Sequence, residues 1–191
     1  MQIYDISQEV FTCKVYPGDP EPEKKTLCAI EKGDAYNLTA FSMCAHNGTH
    51  IDAPFHFLKD GKTVEQMELQ TFVGDCFVAH HSGDVTGADA ECILQRAGVP
   101  RILIAGPATV TAEAAEVFAD AGICLLGNES QTVGPENAPM QVHKILLQKG
   151  IALLEGVVLT QVAEGHYFLS AAPLCLAGAD GAPCRALLLG R

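Results

Sequence analysis

The spacing of apolar and polar positions divides the chain into an irregular opening third and a regular remainder. In the opening third, YPGDPEPEKK carries three prolines and predicts a loop. NLTAFSMCAH is apolar with partial alternation and predicts a strand entering a histidine-rich stretch. After that stretch, LKDGKTVEQM turns at Asp60-Gly61, with Thr63 placed to cap a helix and Glu65 in its first turn. Strands and helices then alternate. TFVGDCFVAH predicts a strand, GADAECILQRAG a helix ending at Gly98, and RILIAG a buried strand. TAEAAEVFADAG predicts an Ala-rich helix stopped at Gly122, and ICLLG another strand. The segment around VHKILLQKG predicts a helix closing at Gly150, and IALLEGV the strand after it. HYFLSAAPLCLAG and CRALLLG supply the last strands. This alternation predicts an α/β fold with a partly parallel sheet flanked by helices. The less regular N-terminal strands make the sheet mixed, or curl it toward a barrel. No repeat, low-complexity tract or linker interrupts the pattern, so residues 1–191 read as a single domain.

Composition narrows the partners. At 48% hydrophobic, the chain buries a substantial core. Charged residues make up 18%, below the usual quarter, as expected of a surface partly covered in an oligomer. The net charge of −11, with no Lys/Arg-rich stretch, would repel a phosphate backbone and an anionic bilayer. Nucleic acid and membrane are therefore excluded as partners. None of the eight cysteines forms a C-x-x-C pair, and a full core needs no disulfide staples. Cys76 and Cys124 lie in apolar runs and read as small buried hydrophobes. MQIYDISQEV lacks the basic start and apolar run of a secretory signal. No apolar run reaches membrane-spanning length. The expectation is a cytoplasmic protein with reduced thiols.

The chemistry concentrates in HNGTHIDAPFH. Three of the seven histidines, His46, His50 and His56, fall here together with Asp52. Imidazole and carboxylate are usual ligands for Zn²⁺, Mn²⁺ or Fe²⁺. Asn47-Gly48, Pro54 and the β-branched Thr49 and Ile51 argue against a helix. In an extended chain, His50, Asp52 and His56 share one face. A turn at Asn47-Gly48 folds His46 back toward them, and Gly48 permits close approach of the backbone to a metal or substrate. The competing reading is a chance cluster of polar residues on a loop.

This run resembles the signature of the bacterial cyclase family, H-x-G-T-H-x-D-x-P-x-H, a family that includes kynurenine formamidases (arylformamidases) and isatin hydrolases. His46, Gly48, Thr49, His50, Asp52, Pro54 and His56 fill every specified position. The likeness extends over nearly the whole chain, through DIS near the start, YPGDP, and HKILLQKGIALLEGV. It implies that His46, His50 and Asp52 hold one divalent metal, and that Asp52, His143 and Glu155 hold a second, with Asp52 bridging. It further implies that His56 is the general acid/base. Read alone, His143 near the start of a predicted helix needs no functional explanation. Glu155 is more suggestive, because a carboxylate ending a buried strand is costly unless paired or metal-bound. The chemistry is coherent: a cation lowers the pKa of a bound water and polarises a carbonyl, and an imidazole exchanges protons around neutral pH. The implied activity is hydrolysis of a small amide-type C–N bond in a small-molecule substrate. The implied cofactor is one or two ions per subunit, Zn²⁺ or Mn²⁺. The implied assembly is a homo-oligomer, dimer or tetramer.

Other candidates are secondary. Tyr16 stands where kynurenine formamidases have a substrate-facing Trp, and either stacks on a substrate ring or is a plain loop aromatic. Phe55 and Phe57 flank His56 and either line the pocket or pack in the core. His80-His81 face opposite sides of a strand, a poor arrangement for one metal. His166 reads as a turn residue, and Cys44 as a buried thiol. LLGNESQTVGP departs from the family's G-x-D-x-x-S-x-D-P loop at Glu129, Thr132 and Gly134, and the chain has no Trp. These departures leave substrate identity open. Two alternatives stand beside the amide reading: a lactone or lactam hydrolase or dehydratase of the same family, and a non-catalytic metal-binding module.

Overall fold

The computed structural model describes residues 1–190. In chain order its strands are β1 (Gln2–Asp5), β2 (Glu23–Cys28), β3 (Leu38–Ser42), β4 (His50–Asp52), β5 (Val73–His80), β6 (Gly83–Val85), β7 (Arg101–Ala105), β8 (Ala108–Val110), β9 (Leu125–Asn128), β10 (Ala152–Glu155), β11 (Gly165–Ser170), β12 (Gly181–Pro183) and β13 (Leu187–Gly190). The α-helices are α1 (Gly87–Ala97), α2 (Ala112–Asp120) and α3 (Met140–Gln148). Nine strands form one mixed, curled sheet in the order β1-β13-β11-β5-β7-β9-β10-β4-β12. Its centre, β5-β7-β9-β10, is parallel. Each parallel step is closed by one helix, as a parallel connection requires. The flanks are antiparallel.

Local chemistry sets the helix ends. Thr86 caps α1 by accepting from the Asp89 amide, while Asp89 returns the bond to the Thr86 amide. Gly98 ends α1 in the left-handed region, at φ +57°. Thr111 caps α2 through the Ala114 amide. On one face of the sheet, Ile93, Phe118 and Leu146 of the helices pack against Ile102, Ile104, Leu126 and Leu153. On the other, Val78, Leu103, Leu125, Leu154 and Leu188 pack with Ile6 and Phe72. Each such buried side chain contributes roughly 1.5–3 kcal/mol. The layers hold β10 and α3 rigidly beside each other, which matters for the site below.

The opening third departs from expectation in detail. Lys24 and Lys25, read as loop, belong to β2, which pairs antiparallel with β3 as a ribbon separate from the main sheet. The Thr63 amide donates to Gln66 Oε1 at 3.2 Å, but the Thr63 hydroxyl makes no capping bond and the helix is a single 3₁₀ turn, Val64–Gln66. The short parallel pair β6-β8 and the edge strand β12 carry no sequence pattern of their own. His166 lies in β11, against the Phe77 ring, and not in a turn.

Candidate metal centre

β4 lies between β10 and β12, with His50 opposite Glu155 and Asp52 opposite both Leu153 and Gly181. Paired residues point to the same face of a sheet. His50, Asp52 and Glu155 therefore share the face of Leu153, which packs with the helices. α3 covers that face and buries His143 alongside Val142, Leu146 and Leu147. The two chain segments meet by this register.

The turn ahead of β4 is tightly held. Asn47 Oδ1 accepts from the Cys44 amide at 2.7 Å. Gly48 adopts φ +66°, and a Cβ there would come within 3.1 Å of Cys13 Cβ. Thr49 Oγ1 donates to Gly156 O at 2.7 Å and accepts from the Gln8 amide at 2.9 Å. Thr49 thus ties the motif to the turn that follows Glu155. His56 does not continue the extended strand, as its spacing from His50 suggested. Pro54–His56 form a 3₁₀ turn, started by the fixed φ of proline, and the turn brings His56 back over the site.

The five residues expected to hold metal converge here, with His56 beside them. His46 Nδ1 lies 2.8 Å from Asp52 Oδ1, and His50 Nε2 lies 3.3 Å from the same oxygen. His143 Nε2 lies 3.5 Å from the other oxygen, Asp52 Oδ2, and 3.2 Å from Glu155 Oε1. Asp52 is therefore shared between two clusters, one of His46, His50 and Asp52 and one of Asp52, His143 and Glu155. Within each, one ligand atom per residue lies within 4.8 Å of the others. The outward nitrogens fix the tautomers of two rings. His50 Nδ1–H donates to Gly48 O and His143 Nδ1–H donates to Pro139 O, both at 2.9 Å. Once an ion replaces the proton, each Nε2 lone pair faces the carboxylates, the arrangement of a metal-ligating histidine with its outer partner. Nitrogen and carboxylate donors, two shared clusters and burial of 3% exposure or less at His50, Asp52, His143 and Glu155 fit divalent cations.

Without an ion, the centre holds protons. Burial alone would push the His46 imidazole down, but hydrogen bonds to Asp180 and Asp52 outweigh it and raise the ring to about 11. Burial likewise opposes the carboxylate contacts of His50 and His143, which still rise to about 9 and about 10. Burial would raise the Asp52 carboxyl, yet hydrogen bonds from His143, His46 and His50 hold it well below the usual range. The carboxylates thus demand positive charge, which protons or metal can supply.

A cavity of about 400 Å³ opens over the centre, lined by Tyr16, Cys44, His56, Phe57, Gln131 and Thr132 besides the cluster. Phe55 is not among the lining residues and is 40% exposed. In a 3₁₀ turn successive side chains diverge by about 120°, so the turn that delivers His56 sends Phe55 outward. Of the three departures from the family loop, only Thr132 lines the cavity. Glu129 instead accepts from the Gly106 and Leu159 amides, and Gly134 packs against Val142. His80 and His81 bond backbone carbonyls elsewhere. Asp180, unmarked by any sequence pattern, also lines the cavity. Its Oδ2 lies 2.8 Å from His46 Nε2 and 3.0 Å from His56 Nδ1. The His46 hydrogen bond above all holds its carboxyl well below the usual range.

A curled mixed sheet carrying a shared His/Asp/Glu centre under a small cavity defines a class of metal-site α/β protein. The family model described as "Putative cyclase" matches residues 4–135, and the chain belongs to this cyclase family. A kynurenine formamidase from Salinibacter ruber (strain DSM 13855 / M31) is 35% identical over 98% of this chain and 97% of its own. The solved structure of a potential metal-dependent hydrolase with cyclase activity superposes with a TM-score of 0.84 at 29% identity, over 98% of this chain and 96% of that one. Isatin hydrolase A from Labrenzia aggregata shares the fold, at a TM-score of 0.85 and 20% identity over 100% of this chain and 94% of that one.

Proposed function

We propose that the protein is a metal-dependent, arylformamidase-like hydrolase that cleaves a small amide-type C–N bond. The observation that carries this reading is the position of His56. Its ring centroid lies 4.0 Å from that of His46, at the edge of a cavity whose floor is the shared cluster. His46, His50 and Asp52 would hold one divalent ion, and Asp52, His143 and Glu155 a second. Zn²⁺ or Mn²⁺ suits these donors. When bound, the metal supplies Lewis acidity that activates water and polarises the amide carbonyl.

The chain's own residues do the rest. His56 takes a proton from the attacking water and passes it to the departing amine, so amide and water become amine and carboxylate. Tyr16 and Phe57 offer aromatic walls to an aryl substrate. The Tyr16 hydroxyl donates to Glu136 O at 2.8 Å, which pins its ring at the mouth. An N-formylated arylamine such as formylkynurenine fits this arrangement, and the formamidase relatives support it.

The reading extends to the whole chain as one cyclase-like domain and to a homo-oligomer. Leu27, Ile30, Tyr36, Leu38 and Phe41 are exposed on or beside the β2-β3 ribbon. An isolated two-stranded ribbon is marginal in water, so a covering subunit is the simplest support for it. Eight free cysteines suit the reducing cytoplasm. No helix among the described residues is long and apolar enough to cross a membrane.

The test is a panel of arylformamide, lactam and lactone substrates, assayed with and without chelator. Formamide hydrolysis that chelation abolishes and Zn²⁺ or Mn²⁺ restores supports the proposal. Turnover of lactones alone, or of no substrate, overturns it.

A further inference from the structure

We infer that Asp180 is the positioning residue for His56, fixing which of its ring nitrogens handles the proton. The inference rests on the hydrolase reading above, and it starts from geometry that reading does not use. One carboxylate oxygen, Asp180 Oδ2, meets His56 Nδ1 at 3.0 Å and His46 Nε2 at 2.8 Å. The two rings stack at 4.0 Å with an interplanar angle of 32°. An ionised carboxylate only accepts, so both facing nitrogens carry hydrogens. For His56 this leaves Nε2 as the atom with a free lone pair, able to take a proton. For His46 it leaves Nδ1 as the atom that faces Asp52 Oδ1, at 2.8 Å.

The surrounding chain is built to hold Asp180 in this place. Its carbonyl accepts from the Ala53 amide at 2.9 Å, one residue past β4. The carbonyl of Ala179 accepts from the Val64 amide at 3.0 Å. Gly181 then pairs with Asp52 across β4 and β12. A Cβ on Gly181 would stand 2.7 Å from His46 Cε1 and 2.6 Å from Ile51 O, so only glycine lets the His46 ring lie against this strand. The residues on both sides of Asp180 are thus anchored to the strand that bears the histidines. The Asp180 side chain is 41% exposed and that of His56 27%, whereas the Asp52 and Glu155 side chains are 3% exposed or less. That places Asp180 at the rim, where substrate and water enter. It sits outside the two clusters that share Asp52 and forms a third group with His46 and His56, and it acts on the proton-handling ring from behind, as the carboxylate of a His–carboxylate pair does.

Asp180→Ala and the isosteric Asp180→Asn test this in the zinc-loaded protein by three readouts. Zinc content should stay at the parent level in Asp180→Asn, whose side-chain oxygen still accepts from His46 Nε2. On an arylformamide, kcat should fall roughly 10–100-fold with KM little changed. In a His56→Ala background the Asp180→Ala change should cost no more than about twofold, because the ring it serves is gone. The third readout needs no turnover. Imidazole ¹⁵N spectra should show the proton of His56 on Nδ1 in the parent and lost from Nδ1 in Asp180→Ala. Loss of zinc from Asp180→Asn would make Asp180 a ligand and overturn the inference. An equal kcat penalty in the His56→Ala background, or a His56 tautomer that ignores Asp180, would also overturn it. If the parent hydrolyses no arylformamide, the proposed function fails, while the ¹⁵N spectra still decide the positioning role.

Discussion

His50 and Glu155 face each other across the antiparallel β4-β10 pair, with Nε2 and Oε2 3.5 Å apart. They are far apart in sequence, and the strand register alone makes them neighbours. Glu155 also accepts from the Val133 amide at 2.8 Å, so its carboxylate is oriented before any ligand arrives. Removing it leaves His143 without its nearer carboxylate partner. Glu155→Ala is expected to lower bound metal per subunit. It should cut arylformamide turnover on the order of 10³-fold, the worth of several kcal/mol of charge stabilisation. Metal analysis beside steady-state kinetics checks both, and full metal content with full activity would refute the assignment of Glu155.

His56 belongs to neither shared cluster, and its loss should separate binding from chemistry. His56→Ala is expected to retain metal and lose about 10²–10⁴-fold in kcat, the usual share of a positioned acid/base. A variant that loses metal in proportion to activity would instead make His56 a ligand.

How much of this was readable in the chain depends on how local each signal is. The units after position 70 were legible because caps and stops are local: Thr86 and Thr111 open helices, and Gly98 closes one. The metal cluster was legible because His46, His50 and Asp52 are close in sequence, and the resemblance supplied His143 and Glu155. The exact path of the motif was not. Pro54 starts a turn that swings Phe55 outward, where alternation alone had placed an extended chain. Lys24 and Lys25 look like loop because prolines precede them, yet they pair with β3 in a ribbon that is mostly exposed and so shows no inward-facing apolar pattern. Asp180 had no local signal at all. It reaches His56, 124 residues away, only when β12 closes on β4.

The pH dependence of the metal-free protein follows from the raised imidazoles. His46, His50 and His143 stand at about 11, 9 and 10 when folded, against an ordinary value of 6.5. Folded values above unfolded ones give stability that is complete below about pH 6.5 and lost as pH rises through 9 to 11. Thermal midpoints of chelated protein should therefore fall steadily from pH 6.5 to pH 10. Metal should flatten that slope, since ions replace the protons. A chelated midpoint independent of pH over this range would contradict the charge balance described for the centre.

Gly181→Ala should disturb the centre without touching a ligand. Its Cβ would stand 2.6 Å from Ile51 O and 2.7 Å from His46 Cε1, so the strand or the ring must shift. The expected outcome is a stability loss of roughly 1–3 kcal/mol by overpacking, with weaker metal binding. Denaturant melts with metal titration check it, and parent-like values in both would show that the strand yields.

Anomalous scattering from crystals of the manganese- or zinc-loaded protein, recorded at the absorption edge of the ion, tests the central claim most directly. The account predicts peaks against the two oxygens of Asp52, one toward His46 and His50 and one toward His143 and Glu155, at about 2.0–2.2 Å from carboxylate oxygen for zinc. Peaks elsewhere, with the Asp52 carboxylate still hydrogen-bonded only to protonated imidazoles, would contradict it.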